Sequence, residues 1–355
     1  MKNERKLATI RKMVDIQKHP NADNLEIGFV DGWTSIITKG KHYIGEIVVY
    51  FEVDSFLPIK PEFEFLRSCC YRKNEFMGEG FLLRTIRLRQ QLSQGLILSF
   101  DDVFKNNEYS KNDDTLLGLD VTNELGIRIW EIPLPIEIRG IMQGKFPSFI
   151  QKTNQERIQN IWNQISTDFK YMDWDVTEKM EGTSSTFAYN NGKIHICSHN
   201  YEFKLEKENV FSSIAKKQNI INALKAYNKN IALQGELCGS NIQGNYYKFN
   251  TPRLFIFDIW LIDEQRYATH IEKNNIIEQL HILGANIEQV PYFGLRKLPD
   301  TLDELLKSAE IDSVFSTKNK KINAEGLVFK SSILINGNIV SFKVKSNKYL
   351  LKNKD

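Results

Sequence analysis

The chain has 355 residues, enough for two ordinary domains each with its own core. Hydrophobic residues make up 41% and charged residues 26%, which excludes a disordered chain, and no apolar run approaches the roughly 20 residues that span a bilayer. The net charge is only +3, so a nucleic-acid partner would need a local basic surface rather than bulk charge.

The N-terminus, Met1 to Arg11, is charged and lacks the apolar core of a signal peptide. The first 125 residues read mainly as strands and turns. Leu7 to Ile16 stops at the turn-rich break His19-Pro20-Asn21-Ala22-Asp23. Leu25 to Val30 and Trp33 to Thr38 flank Asp31-Gly32, a hairpin signal. Gly45 to Val53 suits a buried strand, and Thr85 to Leu98 holds a strand pair around Gln90 to Gly95. Short strands of this kind predict a small β-barrel. The segment from His19 to Leu25 resembles the early turn of certain tRNA-binding OB domains. Arg87 and Arg89 would share a strand face next to Gln91, either as an RNA track or as a solvated face.

A linker over 126–149 is expected, because Pro133, Pro135, Gly140, Gly144 and Pro147 interrupt regular structure. The second domain, 150–355, opens on a helix with a Thr153/Glu156 capping-box pattern and an apolar face of Ile158, Ile161, Trp162 and Ile165. Further helices are predicted near 211–228, 271–283 and 301–310, with Thr301/Glu304 repeating the capping-box spacing and Gly284 as a stop. Strand-like runs fall at 184–198, 231–238, 253–262, 325–331 and 339–345. The expected fold class is therefore α+β on antiparallel sheet. The four cysteines and six histidines show no zinc spacing. Reduced thiols in an intracellular, by default cytoplasmic, protein are the plain reading.

The chemistry-bearing string is Thr177-Glu178-Lys179-Met180-Glu181-Gly182-Thr183. Lysine is a poor nucleophile at its reference pKa of about 10.4, because only about one molecule in two thousand is neutral at pH 7. A cationic neighbour or desolvation would expose its lone pair. Gly182 would let a phosphate approach the backbone. Alone, a Lys-x-Glu-Gly string is common on surfaces. Here it is followed in order by Ile196-Cys197-Ser198-His199-Asn200, Leu233-Gln234-Gly235-Glu236-Leu237, Phe255-Ile256-Phe257-Asp258-Ile259, Glu325 to Lys330, and Phe342-Lys343-Val344-Lys345.

That ordered set resembles the six motifs of the covalent nucleotidyltransferase superfamily of RNA ligases, DNA ligases and mRNA-capping enzymes. The resemblance implies an ATP-grasp-like ligase domain with these roles. Lys179 would attack the α-phosphorus and hold AMP. Glu178, Met180, Gly182, Ser198 and His199 would contribute to the ATP/AMP site. Glu236 would bind the ribose and Phe257 would stack on adenine, a role Phe255 could also take. Lys343 and Lys345 would neutralise the α-phosphate, and their i, i+2 spacing puts both on one face of a strand. Glu181, Glu236 and Glu325 would hold a divalent metal, Mg²⁺ or Mn²⁺, through water. Two positions depart from the family: Glu181 stands where Asp is usual, and His199 where Arg is common.

The β-rich domain precedes the nucleotidyltransferase motifs, whereas DNA ligases and capping enzymes carry their OB domain after them. With Ser93-Gln94-Gly95-Leu96, Phe146-Pro147-Ser148-Phe149, Glu156 to Asn160 and Gly239 to Tyr247, this layout resembles the Naegleria-type RNA ligases with an N-terminal OB domain. The resemblance implies an ATP-dependent, monomeric RNA ligase acting on RNA with 3′-hydroxyl and 5′-phosphate ends, as in a nicked duplex, with no membrane partner. A capping-type guanylyltransferase and a non-catalytic RNA-binding protein that kept the fold are the alternatives.

Overall fold

The computed structural model describes residues 5–104, 114–130 and 140–352. Pro133 and Pro135 of the expected linker lie outside the described residues. The described residues group into two compact units, one within Met1–Pro133 plus Gln159–Asn163, the other within Leu134–Ile158 plus Gln164–Asn353.

The first unit is an OB-type barrel. Its antiparallel sheet runs in the order Leu96–Ser99, Ile47–Phe51, Ala8–Lys18, Leu25–Val30, Trp33–Thr38. All five residues of Ile47–Phe51 are buried. Ile47, Val49 and Phe51 join one apolar cluster, and Val48 and Tyr50 join another with Met13, Trp33 and Ile97. The sheet curls until its edges meet: Gln94 N donates to Thr34 O at 2.7 Å and Ile36 N to Ser93 Oγ at 3.0 Å, just before Leu96–Ser99 begins. Closure removes the exposed edges of an open sheet. Asn160 completes this unit, accepting from Trp33 Nε1 at 2.5 Å and donating to Glu52 Oε1 at 2.6 Å.

The Asp31-Gly32 hairpin forms as expected, with Val30 opposite Trp33 and Asp31 at φ 47°. The strand pair in 85–98 turns earlier than expected. Ile86–Leu88 pairs with Gln91–Ser93 through Arg89 and Gln90, both at positive φ. Arg89 therefore sits in the turn, off the strand face that carries Arg87. The His19 to Leu25 segment packs beneath this hairpin. His19 is buried with Nε2 3.3 Å from Leu88 O, and Asn21 Nδ2 donates to Arg89 O at 3.1 Å.

The second unit is α+β and carries two main sheets. The larger has Thr183–Asn190 at its centre, flanked by Lys193–Ser198 and Ile231–Cys238, with Arg253–Leu261 beyond. The run expected over 184–198 is thus a hairpin, turned by Asn191-Gly192. The smaller sheet has the order Glu156–Arg157, Ser341–Lys345, Gly326–Ser331, Trp174–Lys179, Tyr292–Arg296. Helices Val210–Lys217, Ile220–Tyr227 and His270–Ile282 pack their apolar residues on the larger sheet. Helix caps at Thr269/Glu272 and Thr301/Glu304 are reciprocal capping boxes.

Two expected helices differ. The 211–228 helix is broken at Asn219, whose φ of 54° no right-handed helix accommodates. The helix expected from Thr153 starts only at Ile158, with no side-chain cap. The preceding Glu156–Arg157 instead pairs in parallel with Phe342 and Lys343, so tertiary pairing overrides the local capping signal. No helix among the described residues is long and apolar enough to cross a membrane.

Candidate active site

The register of the smaller sheet assembles the site. Gly326 lies between Lys179 on one neighbouring strand and Lys345 on the other. Glu325, one residue before Gly326, reaches both: its Oε2 is 2.7 Å from Lys179 Nζ and its Oε1 2.9 Å from Lys345 Nζ. Three residues from distant parts of the chain thus meet because the strands stand in this order. The glycine is required by the same packing. A Cβ on Gly326 would lie 2.1 Å from the Val344 carbonyl oxygen. Gly182 is similarly confined, since a Cβ there would lie 2.4 Å from Leu237 O in the larger sheet. Close approach of strands, rather than of a phosphate, accounts for that glycine.

Alternation sends Thr177, Lys179, Val328, Lys330 and Lys343 to the floor of a cleft. Its walls come from the larger sheet through Ser184, Glu236 and Phe257, and from Met180, Val290, His199 and the segment 153–155. Among the sequence-derived residues, Lys179, Met180, His199, Glu236, Phe257 and Lys343 line this cleft. Glu325 adjoins it through Lys179, and Lys345 through Glu325. Glu181 belongs to the same charged group, with its carboxylate held by Tyr349 and its N–H donating to Tyr247 OH at 2.9 Å. Glu178 also borders the cleft, but alternation turns its side chain to the other face, where the carboxylate accepts from Val314 N at 3.1 Å. Ser198 and Gly182 do not line it; Ser198 Oγ donates to Tyr201 O at 3.4 Å.

Charge is crowded at this end. Burial opposes a charged Lys179, but Glu325, Glu236 and Glu181 outweigh it and hold the ammonium above the ordinary lysine range. Burial likewise opposes a charged Glu325, which Lys179 and Lys345 nevertheless keep ionised. Glu236 gains least: burial, with Glu325 and Glu181 nearby, pushes it up to about 8 against the pull of Lys179 and Lys345. Loss of surrounding water, with Lys152 and Lys343 nearby, lowers His199, although its residue surface remains open to solvent. The carboxylates around Lys179 therefore resist the proton loss that a nucleophilic amine requires.

The other end of the cleft is aromatic. Between the pairs Gln234–Asp258 and Gly235–Ile256, Phe257 is the extra residue of a β-bulge. The bulge leaves Phe257 half-buried and lining the cleft, whereas Phe255 is 2% exposed among Phe249 and Phe315. Of the two phenylalanines, only Phe257 is placed to meet a ligand. Sequence reasoning missed Thr153, read as a helix cap with Glu156, its neighbours Asn154 and Gln155, and Tyr349, which follows the last motif without a signal of its own. Lys330 stood in the Glu325 to Lys330 string with no role attached.

Comparison with known proteins agrees with this architecture. Residues 7–100 match an OB-fold domain model, and residues 172–345 match the RNA ligase model. No curated protein sequence matches the chain. Solved structures of Naegleria gruberi RNA ligase are similar over almost the full length of both chains. A glutamate-to-alanine variant with ATP and Mn is 38% identical, with TM-score 0.88, over 99% of this chain and 100% of that one. A lysine-to-methionine variant with AMP and Mn is 39% identical, with TM-score 0.89 over the same shares. A third structure, with PPi, is 38% identical with TM-score 0.88, again over 99% and 100%. With a barrel, a lysine-bearing cleft and 38% identity across both units, this chain belongs to the RNA ligase family.

Proposed function

We propose that this chain is an ATP-dependent RNA ligase that seals 3′-hydroxyl and 5′-phosphate RNA ends, such as those of a nicked duplex, in RNA repair. The observation that carries the reading is the Lys179–Glu325–Lys345 array at a cleft whose far end presents Phe257. Lys179 Nζ attacks the α-phosphorus of ATP, forming an N–P bond as pyrophosphate leaves. AMP then passes to the RNA 5′-phosphate oxygen, and Lys179 recovers its amine. The RNA 3′-hydroxyl attacks that 5′-phosphate, and AMP departs. Lys343 and Lys345 stabilise charge on the α-phosphate, Glu236 orients the ribose and Phe257 stacks on the base. The ATP, AMP and PPi held by the similar Naegleria structures support this nucleotide.

The side chains present fit a divalent cation held through water. Three carboxylates, Glu181, Glu236 and Glu325, face two ammonium groups, Lys179 and Lys345, and burial beside the other two carboxylates pushes Glu236 up to about 8. Among the described residues, no group of three His, Cys, Asp or Glu side chains is arranged to hold an ion directly. Bound Mg²⁺ or Mn²⁺ would offset phosphate charge and favour the neutral amine of Lys179. Mn in the similar Naegleria structures agrees with this.

The same reading takes 1–125 as the RNA-gripping domain, 126–149 as linker and 150–355 as the adenylyltransferase, acting as a monomer inside the cell. Incubation with radiolabelled ATP or GTP and metal tests it. Acid-resistant label from ATP at Lys179 is expected, followed by its transfer to nicked RNA. Label from GTP alone would make the chain a guanylyltransferase, and no label from either would leave only RNA binding.

A further inference from the structure

Behind Phe257 lies a partly buried polar network that the motifs do not explain. A bulge residue loses its place in the ladder, so its carbonyl needs another partner. Phe257 O accepts from Lys330 Nζ at 2.9 Å, with Lys273 Nζ at 3.5 Å. Lys330 is also ion-paired to Asp258, the next residue on the bulged strand, and its ammonium stands 5.9 Å from the Phe257 ring centroid. Lys330 comes from Gly326–Ser331, directly opposite Asp175 on the Lys179 strand. Lys273, 6% exposed, comes from helix His270–Ile282. Asp175 in turn accepts from Tyr292 OH at 2.7 Å, and His270 stacks on that ring at 4.2 Å.

We infer that Lys330, clamped by Asp258 and backed by Lys273, is a positioning residue that fixes the Phe257 bulge and thereby the ring on which the nucleotide base stacks. The inference rests on the stacking role proposed above for Phe257. Through one largely buried ammonium it ties the strand Gly326–Ser331, which lies beside the Lys179 strand, to the strand that carries the base platform. Without that clamp the Phe257 carbonyl loses its ammonium partner, and the ring loses its fixed orientation. Binding would weaken, while the chemistry at Lys179 would proceed at its normal rate once ATP is seated.

The test is single-turnover AMP attachment across ATP concentrations in the full-length chain. Lys330→Met and Asp258→Asn should each raise the half-saturating ATP concentration about tenfold, the scale of one loosened stacking contact, with the saturating rate nearly unchanged. Lys330→Arg should recover part of the loss. Asp258→Asn is isosteric and keeps an acceptor, so it remains informative where Lys330→Met folds poorly. Combined with Phe257→Ala, neither change should add a further loss, because the platform it positions is gone. Additive losses would mean that Lys330 touches the nucleotide itself and would overturn the positioning role. A Phe257→Ala effect alongside normal behaviour of both Lys330→Met and Asp258→Asn would overturn it too. If Phe257→Ala alone changes nothing, the stacking reading fails, and this inference falls with it.

Discussion

Among the described residues, the two five-stranded sheets are built on opposite rules. In the barrel, the strand Ile47–Phe51 is hydrophobic at every position and fully buried. In the cleft sheet, Trp174–Lys179 is buried over its first five residues, yet these include Asp175, Thr177 and Glu178, and the strand ends on a lysine whose side chain is 24% exposed. The first sheet gains stability from each residue it buries. The second holds charge where water cannot fully solvate it, which is costly except through paired partners such as Glu325 between Lys179 and Lys345. Substitutions in the barrel sheet should therefore cost stability, and substitutions in the cleft sheet should cost activity.

The sharpest contrast should come from Lys179→Ala. AMP attachment should disappear while the chain remains folded, because the side chain lies at a cleft and its removal opens no core cavity. Acid-resistant labelling measured beside a circular-dichroism spectrum checks both halves; normal labelling would end the nucleophile assignment. Lys345→Ala should come next, slowing AMP attachment by about a hundredfold, as removal of one preorganised charge near a reacting phosphate does. It also takes from Glu325 one of its two cations, so rapid-quench rates at saturating ATP are the measurement.

On the other side of the contrast, Phe51→Ala should cost roughly 3–5 kcal/mol of stability, since Phe51 is wholly buried. Urea unfolding followed by tryptophan fluorescence reads this out, and the folded fraction should label at the ordinary rate. A marginal stability change would mean that the barrel core collapses around the gap.

The smallest effect concerns pH. Glu236 holds its proton to about 8 in the folded chain, against 4.5 for an ordinary carboxylate. Between those values the folded state binds the extra proton, so stability falls as pH rises through the window. Glu236→Gln cannot ionise and should flatten that fall. Its melting temperature should match the parent near pH 5 and exceed it by about 2 °C or more near pH 8. Equal melting temperatures across the range would show that Glu236 is better compensated than the cluster suggests.

Much of the fold and of the cleft is legible in the amino-acid sequence. The hairpin at Asp31-Gly32 is written in local turn chemistry, which needs no distant partner. The motif residues are legible through the resemblance of their ordered set to the nucleotidyltransferase motifs, and strands that carry them stand side by side in the fold. Phe255 and Phe257 cannot be separated by sequence, since two residues at i and i+2 share a face until a bulge intervenes. Asn219 breaks a helix that periodicity alone would continue through it.

The sequence by itself thus determined the barrel and the α+β second unit, because patterning and short-range turn signals act locally, and through its resemblance to the nucleotidyltransferase motifs it marked about half of the residues that line the cleft. Only the tertiary structure decided that Thr153 to Gln155 form a wall rather than a cap, that Glu178 turns away, and that Tyr349 holds Glu181. It also decided that Lys330 and Lys273 meet at one carbonyl. Each of these depends on which strand lies beside which, and that order is set by the packing of segments far apart in the chain, where no local preference reaches.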